Sequence, residues 1–390
     1  MYILIVMSAI TLFLIALIIG LLTMPILIRI FLKMKVTDTP GGRKIHKKQT
    51  PSMGGIVIYL ASMVAFLFGA YFFEIEELRY VLAAFTLLFF TGLSDDLTTL
   101  TPPQKLAAQF IASLLIIFFA DIRISGFYGF LGIEEIPLWL SYSLTFVVII
   151  ALTNALNLVD GLDGLAGTLS FLNFSFLAWW FMVTDNEPYS KLCVVFLGAV
   201  LAFLVFNWQP AKIFMGDTGS LSIGFMLAVL TVLFIDSNGK LSETHPWKFN
   251  APIASGIALM IVPIYDTSRV FIKRIRRKKS PFSPDKSHVH HFLMRSGFSH
   301  GQVVLVLGSV KLLFFGIIIS ATSLSDEWMI PIVVGTCILL GLRLDAFTLS
   351  RVRYLAKKSP PVLALRSVSS LSSKTGLLKK FPEEINLSEN

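Results

Sequence analysis

Apolar residues in this chain come in long unbroken runs, not in the alternation of a strand or the narrow stripe of a surface helix, and such runs predict helices that cross a membrane. A bilayer core about 30 Å thick takes about 20 apolar residues in helical form. Eleven runs meet that length, at roughly 3–30, 53–73, 79–94, 104–121, 138–155, 165–184, 191–206, 220–236, 250–270, 302–323 and 329–344. The predicted fold class is therefore all-α, a polytopic integral membrane protein of about 11 transmembrane helices. The first run is too long for a signal-peptide core and has no small-residue cleavage site after it, so it reads as a retained helix. Residues 122–137 break the pattern with regularly placed glycines and predict a short hairpin between helices. The expected organisation is a transmembrane domain over 1–345 and a basic, weakly ordered tail over 346–390. No internal repeat is visible, which removes the sequence support for an inverted-repeat transporter.

Composition strengthens this picture. Of 390 residues, 55% are hydrophobic and 15% charged, and the mean hydropathy is +0.76, far from a soluble domain. Cys193 and Cys337 each sit inside an apolar run, which leaves neither a disulfide framework nor a CxxC metal site. The net charge of +9 could suggest nucleic acid, but most Lys and Arg flank membrane runs, where the positive-inside rule accounts for them; no nucleic-acid partner is expected. An odd number of crossings puts the termini on opposite sides. The basic segments 29–52, 95–105, 207–219, 269–300 and the tail from 343 choose the cytoplasm, so the N-terminus is predicted outside and the C-terminus cytoplasmic.

Five polar clusters then fall on that same cytoplasmic side: Thr50 to Gly55, Ser94-Asp95-Asp96, Asn154 to Gly164, Asn207 to Ser220, and Arg274 to His291. A charge near the bilayer centre costs roughly 2.5–3.5 kcal/mol even on the lenient insertion scale, so such groups are usually kept for use. Carboxylates with only structural duties should be spread over both faces, and their coincidence points to a cleft. Asp160 and Asp163, three residues apart, would share one face if helical, with Gly161 and Gly164 free to turn; the bland alternative is a solvated loop that caps the next helix. Asp95 and Asp96 close a helix whose dipole disfavours negative charge, so a metal ion or a lysine, with Lys105 a candidate, must offset them. Asp217 lies between two glycines at a helix start, where Thr218 or Ser220 could serve as a plain cap. Hard Mg²⁺, which takes a few carboxylates plus substrate phosphates, explains the set together. Three histidines within four residues invite zinc, but their companions are aspartates and cations, not Cys; with Pro281 and Pro284 stiffening the approach, they suit anionic phosphate or sugar oxygens instead.

The motifs TPSMGG at 50–55, DD at 95–96, NALNLVDGLDGLAG at 154–167, NWQPAKIFMGDTGS at 207–220 and SPFSPDKSHVHH at 280–291 resemble, in that order over residues 30–300, the polyprenyl-phosphate N-acetylhexosamine-1-phosphate transferases of glycosyltransferase 4 type. The His-loop form is similar to the undecaprenyl-phosphate N-acetylglucosaminyl branch. The resemblance implies transfer of a sugar 1-phosphate, GlcNAc-1-phosphate first among candidates, from a UDP-N-acetylhexosamine to undecaprenyl phosphate, with release of UMP. It also implies Mg²⁺, or Mn²⁺ in its place, at a cytoplasmic-face cleft of a bacterial inner membrane, and a product that initiates a cell-envelope glycan. By position, Asp217 matches the metal-binding aspartate, joined by Asp96, and Asp95 and Asp96 match the catalytic acidic pair. Asn157, Asp160 and Asp163 match the group lining the nucleotide side, and Phe214 the aromatic that stacks on uracil. Arg274 and His288 match residues that hold phosphate and N-acetyl sugar, with His288 counted as catalytic. Lys48, Thr50, Asn154, Asn207, His290 and His291 complete the substrate-binding candidates. The segment around Lys105 follows the family pattern loosely. The rival readings are phospho-MurNAc-pentapeptide transfer, in which the His loop is built differently, and an ion-coupled transporter, which needs acids near the midplane and paired broken helices. The sequence leaves a homodimer open.

Overall fold

Helix starts are written into the residues that flank the apolar runs. Thr101 places its amide on the Gln104 side chain at 2.8 Å, and Pro102 and Pro103 follow in the first turn, where a missing N–H costs nothing. Ser299 and Gln302 repeat the reciprocal cap for a later helix. The computed structural model describes residues 2–35, 37–38, 50–69, 75–278 and 288–358, and within these it contains α1 (Tyr2–Met34), α2 (Gly55–Phe68), α3 (Ile75–Thr98), α4 (Pro102–Leu114), α5 (Leu138–Val159), α6 (Leu165–Val183), α7 (Glu187–Asn207), α8 (Gly216–Lys240), α9 (Pro252–Leu259), α10 (Ile261–Arg276), α11 (Val289–Arg295), α12 (His300–Ser320) and α13 (Asp326–Lys358). A two-residue antiparallel ladder, Thr37–Asp38 with Thr50–Pro51, precedes α2.

Each of the eleven predicted runs holds a helix. Among the described residues nine helices are long and apolar enough to cross a membrane singly, α9 with α10 makes a bent tenth, and α2 is apolar over a shorter length. Two details differ from expectation. The ninth run, read as one helix over 250–270, breaks at Met260 and turns through 77°. Pro263 supplies the reason: it offers no N–H to the Leu259 carbonyl four residues back, and its ring clashes with that carbonyl. The last run continues as helix to Lys358, so residues 346–358 extend α13; residues 359–390 lie outside the described part of the chain.

Burial identifies the centre. In α8, 94% of the most apolar stretch is buried against protein, compared with 22% in α1 and 17% in α13, so α8 is the axis and the two terminal helices face lipid. Helices α3 and α5 pack along α8, while α1 and α6 pack on α7. At one end of the bundle Asp236 of α8 accepts from Ser125 N at 3.0 Å and Tyr128 Oη at 2.8 Å, which pins the predicted hairpin with its Gly126–Glu135 bridge. The C-terminal ends of α3, α5 and α7 meet the N-terminal ends of α4, α6 and α8 at the other end, and the carboxylates gather there.

Candidate active site

The site is built around the first turn of α8. Gly216 adopts φ +70°, which only a glycine takes without strain, and the helix starts from it. The free amides of that turn would be orphans. Asp96, from the last turn of α3, accepts both: Asp217 N at 3.0 Å on Oδ1 and Thr218 N at 2.9 Å on Oδ2, with Thr218 Oγ1 at 2.5 Å. A carboxylate is the favourable charge at a helix N-terminus. Asp96 was expected to hold a metal and the substrate phosphates; its oxygens instead face α8, so its direct work is to fix Asp217.

Asp95 points elsewhere. Its Oδ1 accepts from Leu100 N at 2.7 Å, and its Oδ2 pairs with Lys105 Nζ at 2.7 Å. The same ammonium pairs with Asp217 Oδ2, and Asp217 Oδ1 accepts from Asn157 Nδ2 at 3.0 Å, an amide that also reaches Ser220 Oγ at 2.8 Å. Two acids at the end of α3 call for a cation beside them, and Lys105 from α4 occupies that place. Backbones approach here without side chains between them: a Cβ on Gly55 would overlap Gly219, and one on Gly92 would overlap the Asp217 carbonyl. The segment before α2 docks through Phe214 N to Pro51 O at 2.8 Å and Gly54 N to Phe214 O at 2.8 Å, which leaves Thr50 buried and the Phe214 ring half-buried at the rim. Lys48 lies outside the described residues, as do Pro281 and Pro284.

The Asp160/Asp163 pair does not share a helical face. Helix α5 ends at Val159, α6 begins at Leu165, and the two acids sit in the turn between. Burial and the charges of Asp217, Asp96 and Asp163 push the Asp160 carboxyl up to about 8, so it carries a proton at neutral pH when no cation is near. Asp163 is buried and faces His300 Nδ1 at 3.3 Å and Ala211 N at 3.3 Å. It braces α12 and the loop before α8. Two more expected ligand-binding residues serve the frame: Asn154 exchanges amide hydrogen bonds with Gln109 of α4 (2.7 Å and 3.3 Å), and Asn207 accepts from Gly164 N at 2.8 Å while donating to Ile213 O at 2.8 Å.

The His cluster lies on the far side of that turn. His288 and Asp266 are both buried, with Nδ1 to Oδ2 at 2.9 Å, and Asp266 Oδ1 accepts Val289 N at 2.7 Å. One carboxylate thus caps α11 and orients the imidazole, the arrangement by which proteins fix a histidine's tautomer. His290 stacks near His288 and His291 (centroids 5.6 Å and 4.3 Å) and lies 3.2 Å from where a Cβ on Gly161 would stand, which ties this cluster to the Asp160 turn. Burial and the neighbouring His291 push His290 down to about 3. It is neutral at physiological pH, so it could offer a substrate oxygen an N–H donor but no charge. Arg274, buried on α10, supplies charge on this side. Asp266 and His300 lie outside the sequence motifs. Asp266 had a signal, a lone carboxylate within an apolar run; His300 had none beyond its place at a helix start.

Among the described residues no three His, Cys or acidic side chains close into a metal cage. The open, oxygen-only set of Asp217 and its neighbours fits Mg²⁺, which leaves positions for water and phosphate oxygens. The cluster already draws in one ammonium and raises Asp160, both signs of unmet demand for positive charge.

A family model described as glycosyl transferase family 4 matches residues 78–235. A probable undecaprenyl-phosphate N-acetylglucosaminyl 1-phosphate transferase of Bacillus subtilis (strain 168) is 34% identical over 303 residues, 77% of this chain and 82% of the relative. The undecaprenyl-phosphate alpha-N-acetylglucosaminyl 1-phosphate transferase of Escherichia coli (strain K12) is 30% identical over 304 residues, 76% of this chain and 80% of the relative. The matched residues 78–235 hold the Asp160 turn and the first turn of α8, and on the identity and coverage of these relatives the chain belongs to the undecaprenyl-phosphate N-acetylglucosaminyl 1-phosphate transferases of glycosyl transferase family 4.

Proposed function

We propose that this protein transfers GlcNAc-1-phosphate from UDP-GlcNAc to undecaprenyl phosphate. A phosphate oxygen of the acceptor attacks the β-phosphorus of the donor, the bond from that phosphorus to the bridging oxygen breaks, and UMP leaves with that oxygen. One anhydride replaces another, so the reaction is near balance and catalysis reduces to positioning and charge neutralisation. The observation that carries the reading is the cluster of Asp217, Asp95 and Lys105 at one end of a membrane bundle, joined through the Asp160 turn to the buried Asp266–His288 pair. Mg²⁺ held by Asp217 would supply the charge that lets two phosphate groups approach. Lys105 neutralises Asp95 and Asp217 between turnovers, Asp95 orients the acceptor, and His288 and Arg274 hold the donor's phosphates and sugar, with Phe214 under the uracil.

In this reading the site end faces the cytoplasm of a bacterial inner membrane and the N-terminus lies outside, as the loop charges argue. Two observations weigh against an ion-coupled transporter: the acids sit at helix ends, and among the described residues there is one broken helix pair instead of two. Purified protein, undecaprenyl phosphate and a panel of UDP-sugars should release UMP with UDP-GlcNAc. Release with UDP-MurNAc-pentapeptide alone would overturn the substrate.

Two further results are expected. Asp266→Asn keeps an acceptor for Val289 N but misorients His288, so kcat/KM should fall about 10- to 100-fold with little change in thermal midpoint; wild-type kinetics would show the pair to be ornamental. Asp160 with its pKa near 8 should lose its proton when a divalent cation binds nearby. Titrating Mg²⁺ into weakly buffered protein should release protons at pH 7, fewer as pH rises past 8, and fewer in Asp160→Asn. The same shift means that, without Mg²⁺, the stability this proton confers is present at low pH and lost as pH rises through about 8. Proton release that is constant from pH 6.5 to 9.5 would contradict the assignment.

A further inference from the structure

We infer that Lys311, in the membrane-crossing helix α12, is a positioning residue that sets the elbow between α9 and α10 and, through it, the pose of the Asp266–His288 pair. Lys311 is fully buried, and a lysine there is costly unless something demands its amine. Its Nζ donates to Ala258 O at 3.2 Å and lies 4.6 Å from the centre of the Phe315 ring. Ala258 is in the last turn of α9, two residues before the break at Met260, where the chain swings through 77°. A helix that stops inside a bundle leaves the carbonyls of its last turn short of donors. The amine of Lys311 supplies one from a neighbouring helix.

The rest of α9 is fastened in the same manner. At its N-terminus, Asp326 of α13 accepts from Ile253 N at 3.2 Å and Ala254 N at 2.7 Å. At the break, Asn173 of α6 donates to Met260 Sδ at 3.6 Å. A helix of eight residues is thus held by a carboxyl group at its N-terminus and an amine at its C-terminus, each lent by another membrane helix. The direction in which α10 leaves depends on the second of these. Asp266 lies in the second turn of α10 and Arg274 further along the same helix, so a change of a few degrees at the elbow moves the carboxylate that orients His288. Lys311 touches none of the groups assigned to the substrates, and it acts through Asp266.

The test uses the full chain in bilayer nanodiscs. Lys311→Met keeps the length of the side chain and removes the donor to Ala258 O. Spin labels at Ile275→Cys on α10 and Leu305→Cys on α12, both exposed, with Cys193 and Cys337 replaced by alanine, report the elbow: the distance between them should shift or broaden in Lys311→Met. The kinetic arm rests on the transferase reading. There, Lys311→Met should raise KM for UDP-GlcNAc about tenfold and leave KM for undecaprenyl phosphate unchanged, and in an Asp266→Asn background it should cost about twofold or less, because coupled residues are not additive. An unchanged label distance, or equal losses in the two backgrounds, overturns the inference. If Lys311→Met does not insert, Asn173→Ala acts on the same break and should give the same pattern; wild-type behaviour of that variant overturns it as well. Failure of the wild type to use any UDP-sugar would sink the transferase reading, while the label distances would still decide the elbow.

Discussion

Asp217→Asn should lower UMP release by about 10²- to 10³-fold or more while leaving the protein folded, the largest effect on chemistry expected of any single change. The size follows from what the charge does: removing one preorganised electrostatic stabiliser from an enzyme site costs on that order, and here the same carboxylate is also the metal-holding group of the proposal. Retention of the fold follows from its neighbours. Asparagine keeps the volume and an oxygen for Asn157 Nδ2, and what is lost on the protein side is the pairing with Lys105. Both partners keep more than a quarter of their side-chain surface open, where ion pairs contribute about 0–1 kcal/mol. Activity against Mg²⁺ concentration and a thermal midpoint in detergent would check both halves. Near-normal turnover with unchanged Mg²⁺ dependence would remove Asp217 from the centre of the site.

Asp96→Ala should do something different, lowering stability and activity together. Two amides and a hydroxyl of the first turn of α8 lose their acceptor, and buried donors left unsatisfied cost about 1–3 kcal/mol each. Some will find water, so about 2 kcal/mol is a fair expectation, comparable with the loss of a strong cap. Asp96→Asn keeps an acceptor oxygen and should preserve most of the midpoint and a substantial part of the rate. A residue that ligated metal would behave in the opposite way, with asparagine as damaging to turnover as alanine and the midpoint hardly moved. Thermal melts and UMP release on the two variants separate these roles directly.

The membrane helices were legible because burial in lipid leaves a long, one-dimensional signature, and every such run holds a helix. The elbow in the ninth run was also written, in Pro263, but a proline three residues into a new helix looks the same as one tolerated in an old one until the break is seen. Lys105 could be set beside Asp95 by charge alone, since a helix C-terminus carrying two acids demands a cation; that Asp217 shares the same ammonium could not. What could not be read was direction. Asp160 and Asp163 look equivalent in sequence, yet the turn sends one toward Asp217 and the other toward His300. Asp96, Asn154 and Asn207 belong to chemically suggestive motifs and spend their hydrogen bonds on the frame, because the backbone amides and the Gln109 side chain they satisfy become visible only when segments about 40 to 120 residues apart meet. Asp266, His300 and Lys311 sat within or beside apolar runs, where a search for polar clusters does not look.

The glycine contacts at the start of α8 have a consequence for how such a protein can diversify. Where Gly55 meets Gly219 and Gly92 meets the Asp217 carbonyl, the spacing is set by main chain against main chain, and no rotamer or neighbouring side chain can absorb a substitution. The reacting corner is therefore frozen, tolerant of almost no drift. Helices α10 and α11 reach their posts by longer, side-chain-mediated links: Lys311 at the elbow, Asp266 to His288, Arg269 to Asp345. Links of that kind can be lengthened, shortened or re-aimed one residue at a time. A lineage that needed a different sugar on the same lipid would find its adjustable parts there, downstream of residue 250, and would leave the corner between α3, α5 and α8 untouched.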